Sequence, residues 1–245
     1  MKKVFLNTMF GAPFPEEWTN GFIENVQRLE PFGWYWKIFT PNEYESKGNV
    51  EFIKMDIEDF DSRIEKATGI NPHNYIDGVA PHKLVSDYYP AHGVIFPEYI
   101  KDADFWGHCN WDVVYGRLEH YLPDEFLEDC DIFGNDPDAI NGVFSLYRNI
   151  DKVNNLFKKN PSWQEAFSNL EKLYTFDEDL FTQTVREAHA SGDIRFKSAF
   201  WLQFDRQEQH KPKPILKIKD NGALVDKNNK EMMLFHFSFT KKWPL

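Results

Sequence analysis

Asp104-Phe105-Trp106-Gly107-His108-Cys109-Asn110-Trp111-Asp112 is the stretch on which the reading of this chain turns. Residues 103–106 form an apolar run of buried-strand character. A polar turn comes next and carries an Asn and an Asp two positions apart, so Asn110 and Asp112 point into one space. Hard divalent cations such as Mg²⁺ or Mn²⁺ take oxygen ligands, typically one or two carboxylates completed by substrate phosphates. This pair has the chemistry to supply them. An Asx-x-Asp pair after a strand is also the common mark of an ordinary turn or helix cap.

Upstream, residues 2–7 read as a short buried strand and Gly11-Ala12-Pro13 as a loop. A helix from about Pro15 then sets Trp18, Phe22, Val26 and Leu29 on one face. The next strands are at 33–39 and Val50–Lys54. Asp56 with Asp59 marks a helix start, and Ile57, Phe60 and Ile64 give its apolar face up to Gly69. The Pro-, His-, Asn-, Gly- and Tyr-rich stretch 71–90 reads as an ordered loop with a short helix near 83–88. Downstream, 113–118 reads as a short helix or strand, and 131–133 and 142–147 as strands. Helical patterns fill 151–158, 163–173 and 179–190, and strands close the chain around turns at Asp220-Asn221-Gly222 and Asn228-Asn229. Strands alternating with helices predict an α/β fold with a largely parallel, doubly wound sheet, in one domain over 1–245. Ligands in such sheets sit outside the carboxyl ends of the strands, which selects the loops after Asn7, Phe39, Lys54 and Trp106. Thr8, in the first of these loops, is a donor-binding candidate.

The formal net charge of −11 argues against nucleic acid as a partner, because phosphate backbones are bound by Lys and Arg displacing counterions. A small nucleotide is compatible when a divalent metal supplies the positive charge locally. Cys109 and Cys130 are the two cysteines. With no apolar leader after Met1 and no run of about 20 apolar residues, the chain reads as cytoplasmic with reduced thiols, and any membrane contact as peripheral. There is no G-x-G-x-x-G, Walker lysine loop, H-E-x-x-H or G-x-S-x-G, so dinucleotide, P-loop, zincin and hydrolase chemistries have no support.

Three blocks carry a resemblance. Lys83-Leu84-Val85-Ser86-Asp87-Tyr88-Tyr89-Pro90-Ala91-His92-Gly93 comes first, then Asp104 to Leu118, then Asn141-Gly142-Val143-Phe144-Ser145-Leu146-Tyr147-Arg148-Asn149. Together they resemble a family of bacterial GT-A-like glycosyltransferases found with polysaccharide and lipopolysaccharide biosynthesis. The resemblance implies a GT-A-like fold, a single doubly wound mixed sheet with flanking helices. It also implies transfer of a sugar from a nucleotide-diphosphate donor to a saccharide or glycan acceptor with Mn²⁺ or Mg²⁺. The D-x-D motif of that fold falls on Asn110-Trp111-Asp112, its first acid replaced by an amide that keeps a carbonyl oxygen but brings no charge. The segment Phe235-His236-Phe237-Ser238-Phe239-Thr240-Lys241-Lys242-Trp243 is similar to the H…K-x-W end of galactosyltransferase-like GT-A enzymes. There the His is a metal ligand and the Lys meets the diphosphate, which implies those roles for His236 and Lys242. Lys83 and Asp87 fall where nucleotide and donor sugar are expected, although a solvated pair at i, i+4 has the same pattern. Asn141, Gly142 and Arg148 fall where the sugar site is lined.

The cluster Asp177-Glu178-Asp179 reads either as acids at a helix start, which the helix dipole favours, or as the base that deprotonates an acceptor hydroxyl, through Asp177 or Glu178. His236 likewise reads either as a ligand or as a core residue of an alternating strand. The rival to transfer is a non-catalytic sugar- or nucleotide-binding protein on the same fold, and a weaker third reading is a metal-dependent phosphotransferase.

Overall fold

The computed structural model describes residues 1–11, 13–72, 85–168, 174–199, 201–204 and 216–237. Its frame is a seven-stranded sheet in the order β3-β2-β1-β4-β7-β6-β8. These strands are β1 (Lys3–Thr8), β2 (Trp34–Thr40), β3 (Val50–Lys54), β4 (Phe105–Cys109), β6 (Ile132–Gly134), β7 (Phe144–Arg148) and β8 (Phe196–Ser198). β1 pairs in parallel with both β2 and β4, β2 with β3, and β6 with β8. β7 runs antiparallel to both β4 and β6. The expected α/β architecture with a mixed central sheet and flanking helices is therefore present, with β7 as the reversed strand.

The alternation of side chains along each strand builds two cores from one sheet. Phe5, Trp34, Trp36, Phe105 and Phe144 face one side, where helix α1 (Glu16–Gln27) adds Trp18, Phe22 and Val26. Val4, Leu6, Trp106 and Tyr147 face the other, where α2 (Ile57–Thr68) adds Phe60 and Ile64 and α3 (Phe181–Ala190) adds Phe181 and Val185. α2 begins and ends as its sequence dictates. The Asp56 carboxylate accepts the Asp59 backbone N–H, and Gly69 closes the helix in the left-handed region with φ of 73°.

Two small sheets supplement the large one. β5 (Val113–Tyr115), β13 (Leu234–His236) and β9 (Leu202–Phe204) form the first, and β10 (Lys217–Ile218), β11 (Leu224–Val225) and β12 (Glu231–Met232) form an antiparallel meander. Two local expectations are revised and one open reading is resolved. β4 runs on to Cys109 rather than ending at Trp106. Residues 113–115 are a strand. The helix expected from 179 starts at Phe181, after a single wide π turn, Phe176–Leu180.

Candidate functional site

β1 is flanked by β2 on one side and β4 on the other, so the direction of strand addition reverses between β1 and β4. Crevices outside the carboxyl ends of strands at such a reversal are the usual ligand positions of open α/β sheets. Thr8 ends β1 at this edge and Asn110 comes directly after β4. The Asn7 side chain donates to the Cys109 carbonyl and lies 3.3 Å from its Sγ, which ties the two strand ends together. Beyond Asn110 the chain buries Trp111 and leaves Asp112 partly open before entering β5. β5 pairs antiparallel with β13, with Val113 opposite His236, and the Phe237 N–H donates to the Asp112 carbonyl at 2.8 Å. His236 Nε2 consequently lies 3.0 Å from Asp112 Oδ1 and 3.2 Å from Asn110 Nδ2, residues 124 and 126 positions away.

These three groups fit a divalent cation. One Nε2 cannot donate to Asp112 and accept from Asn110 at the same time, so one contact is unmet in either tautomer. A half-turn of the Asn110 amide presents its oxygen instead. The point between the side chains is then faced by two oxygens and one imidazole lone pair, a donor set suited to Mn²⁺-type ions. Among the described residues no group of three His, Cys, Asp or Glu side chains could hold a metal ion, and in this set Asn110 would have to supply the third donor.

A second cluster adjoins the first. The Asn110 N–H donates to the Val143 carbonyl at 2.9 Å, and the neighbouring Gly142 N–H donates to Glu178 Oε1 at 3.0 Å. A Cβ at Gly142 would sit 2.8 Å from Glu178 Oε1 and 2.9 Å from Asp177 Oδ2, so both carboxylates come up to a backbone that only glycine leaves clear. Asp177 is buried, and burial, then the charges of Glu178 and Asp87, raise its carboxyl well above the usual range. Glu178 is exposed and lines a cavity of about 380 Å³ with Asp136, Asn141, Asp179, Thr182 and Arg186. Tyr89 stacks on His108 with ring centroids 4.5 Å apart. Its hydroxyl pKa is raised by burial and then by Asp177, Cys109, Asp112 and Glu178, which puts it within electrostatic reach of both clusters.

Over residues 6–242 the sequence matches a family described as a family of unknown function, DUF6625. The chain belongs to that family. No curated protein matches the DUF6625 chain. Similar solved structures include the galactosyltransferase LgtC in complex with donor and acceptor sugar analogues, at 13% identity over 99% of this chain and 88% of that one, TM-score 0.47. Another is a glycosyltransferase involved in the glycosylation of the major capsid of PBCV-1, at 11% identity over 98% and 94% of the two chains, TM-score 0.43. A third is the mannosyltransferase Ktr4p from S. cerevisiae, at 12% identity over 56% and 40%, TM-score 0.30.

The DUF6625 chain gathers Thr8, Asn110, Asp112, Asn141, Gly142, Asp177, Glu178 and His236 at the same sheet edge. Thr8 is buried there, and its Oγ1 has no hydrogen-bond partner among the described residues. Asn141 is held by its own turn, its Oδ1 accepting from the Val143 N–H at 2.7 Å and its carbonyl facing His108 Nε2 at 3.2 Å. Two expectations are corrected. Arg148 ends β7 opposite Phe105, about 13 Å along the strand from the site, where it stacks on that ring and donates to Asp131 and the carbonyls of Leu127, Glu128 and Cys130. Asp87 is buried, its oxygens accepting the Tyr174 and Phe176 N–H groups at 3.1 and 2.6 Å, so it anchors the approach to Asp177 rather than meeting a donor. Lys83 and Lys242 lie outside the described residues. Neither thiol is set up as a nucleophile, since burial pushes Cys109 up to about 11 and Cys130 to about 12. Sequence reasoning missed Tyr89, Asp136, Thr182 and Arg186. Tyr89 lies within the first block of the resemblance, whereas the other three carry no local pattern.

Proposed function

We propose that this protein is a GT-A-like glycosyltransferase that moves a sugar from a nucleotide-diphosphate donor to a saccharide acceptor, in cytoplasmic synthesis of cell-surface polysaccharide or lipopolysaccharide. The observation that carries the reading is the meeting of Asp112, Asn110 and His236 within 3.0–3.2 Å at the switch point of the sheet. Motif residues assigned separately by resemblance come together there although the chain between them is long.

Asp112, His236 and the Asn110 carbonyl hold Mn²⁺ or Mg²⁺ on this reading, and the ion, when bound, neutralises the diphosphate leaving group. The chain's own groups do the rest. Glu178, exposed and braced by the Gly142 N–H, accepts the proton of the acceptor hydroxyl as that oxygen attacks the anomeric carbon. Asp177 is buried, and burial raises its carboxyl, so Glu178 rather than Asp177 is the group open to an acceptor. Lys83 and Lys242, assigned by resemblance, meet the departing diphosphate. Among the described residues no helix is long and apolar enough to cross a membrane.

Thermal unfolding against a panel of nucleotide sugars, with and without Mn²⁺, tests the proposal, because a ligand that binds only the folded state raises the melting temperature. A metal-dependent shift with one donor, release of its nucleotide on adding acceptor, and loss of both in Asp112→Ala are the expected results. Binding without nucleotide release makes the protein a sugar- or nucleotide-binding member of the fold. No shift with any donor sinks the donor site itself.

A further inference from the structure

Asp112 and His236 come from segments that share no sheet with β1 or β4, and helix α1 packs against both of them. Trp18, Phe22 and Asn25 lie at i, i+4 and i+7 on one face of α1. Asn25 receives the Tyr115 N–H at 2.8 Å and donates back to the Tyr115 carbonyl at 3.0 Å, so the free edge of β5 is paired with a side chain. Phe22 packs against Trp111 with ring centroids 4.2 Å apart. The Trp18 Nε1–H points at the Trp111 carbonyl, 3.4 Å away, and the Trp18 ring meets Phe237 edge-on at 5.9 Å. Trp18 therefore touches the residue before Asp112 and the residue after His236.

Trp111 is held from its other sides by Phe14 and Phe52, at 5.7 and 5.9 Å, and is buried while Asn110 and Asp112 on either side of it are partly open. Its Nε1 has no hydrogen-bond partner among the described residues, so the ring serves by shape. We infer that Trp18 and Trp111 are positioning residues: one face of α1 sets the register of Asn110-Trp111-Asp112 against His236 and so fixes the separation of the proposed cation ligands. The inference rests on the proposed role of that pair. It predicts that the site loosens when either ring is trimmed, even where the fold survives.

The test reads the pair with and without metal. In the metal-free protein the His236 ring signals, assigned by their loss in His236→Gln, are followed by NMR, and Asp112→Asn gives the displacement that marks a broken contact. Trp18→Leu and Trp111→Leu are expected to move those signals comparably. Trp111→Phe, which keeps an aromatic ring, moves them less, and Phe157→Leu, a buried ring in the core on the other face of the sheet, leaves them in place. Mn²⁺ affinity read by electron paramagnetic resonance is expected to fall about tenfold in the two Leu variants, in the range typical for residues that orient metal ligands, and to stay within about twofold in Phe157→Leu. If the parent protein binds no Mn²⁺, the cation reading fails and the NMR series alone decides the positioning role. His236 signals that respond to Trp18→Leu and Trp111→Leu no more than to Phe157→Leu overturn the inference. Should the Leu variants not fold, Trp18→Phe decides: it removes the Nε1–H and must still displace the His236 signals.

Discussion

Asp131→Asn separates a structural Arg148 from a ligand-binding one. Asp131 is 3% exposed and accepts Arg148 Nε at 3.1 Å, the Arg195 backbone N–H at 2.9 Å and an Arg195 guanidinium nitrogen at 3.0 Å, with Lys152 Nζ at 3.6 Å. Burial alone would raise this carboxyl. The Arg195 side-chain and backbone hydrogen bonds outweigh it and bring the group from 3.8 down to about 2. At 1.36 kcal/mol per unit that difference has a ceiling of about 2.4 kcal/mol. The Arg195 and Lys152 side chains are 50% and 54% exposed, and solvent screening reduces the expectation to about 1–2 kcal/mol.

A folded-state pKa below the unfolded value gives stability that is complete above about pH 4 and is lost as pH falls through 2. By pH 3 about half of it remains. Urea unfolding of parent and Asp131→Asn at pH 7 and pH 3 is the assay. The gap between them should narrow at the lower pH by about 0.5–1 kcal/mol. Any penalty from the new amide N–H facing donors is the same at both pH values and cancels in the comparison. A gap that does not narrow refutes the ion-pair account. A variant that keeps its fold but loses a donor-induced melting shift would return Arg148 and its partner to the ligand site.

Asn110→Asp adds a second carboxylate to the proposed cation ligands and should tighten Mn²⁺ binding in the absence of nucleotide, by about tenfold, measured by calorimetry; unchanged affinity would remove residue 110 from the ligand set. Gly142→Ala brings a Cβ within 2.8 Å of Glu178 Oε1 and 2.9 Å of Asp177 Oδ2, so Glu178 must swing away and turnover should fall at least about tenfold while unfolding in urea shifts by about 1 kcal/mol. Turnover at the parent rate would show that the placement of Glu178 is immaterial. Glu178→Gln should lower kcat by about 10²–10⁴ with donor binding intact, and a loss confined to donor affinity would instead make Glu178 a binding group.

The elements that were legible are those whose signal is local. The Val50–Lys54 strand, the Asp56 cap and the Gly69 stop of α2 match their expected positions because periodicity and capping chemistry need no distant partner. The end of β4 is not legible locally, because His108 and Cys109 have the character of turn residues. In the fold their polarity is absorbed by the Asn141 carbonyl and by Asn7, groups 33 and 102 positions away. The position of Arg148 is hidden for a related reason. Its match to a sugar-lining block was local, but the reversed direction of β7 is set by pairing, and five strand residues carry the Arg to the far edge. Asp177 and Glu178 were legible as a pair but not as unequal partners. Their difference in burial comes from a π turn ahead of α3, where the sequence suggested an ordinary helix start.

The replacement of the first motif acid by Asn110 is coherent with the charge around it. Among the described residues, the site edge carries Asp112, Asp136, Glu178 and Asp179 on a chain of net charge −11, with Arg186 among the residues that line the cavity. A diphosphate donor approaching that edge meets like charge, and like charge at close range is repulsive by an amount that grows as water is excluded. On the proposed reading the cation is therefore a condition of donor binding as well as an aid to bond breaking. One carboxylate with two neutral ligands leaves the ion with uncompensated positive charge, which the diphosphate oxygens complete. A second carboxylate at 110 would hold the free ion more tightly but leave less of that charge for the donor. The same substitution that tightens metal alone should therefore weaken the coupling between metal and nucleotide, and the two effects are separable in one calorimetric series with and without nucleoside diphosphate.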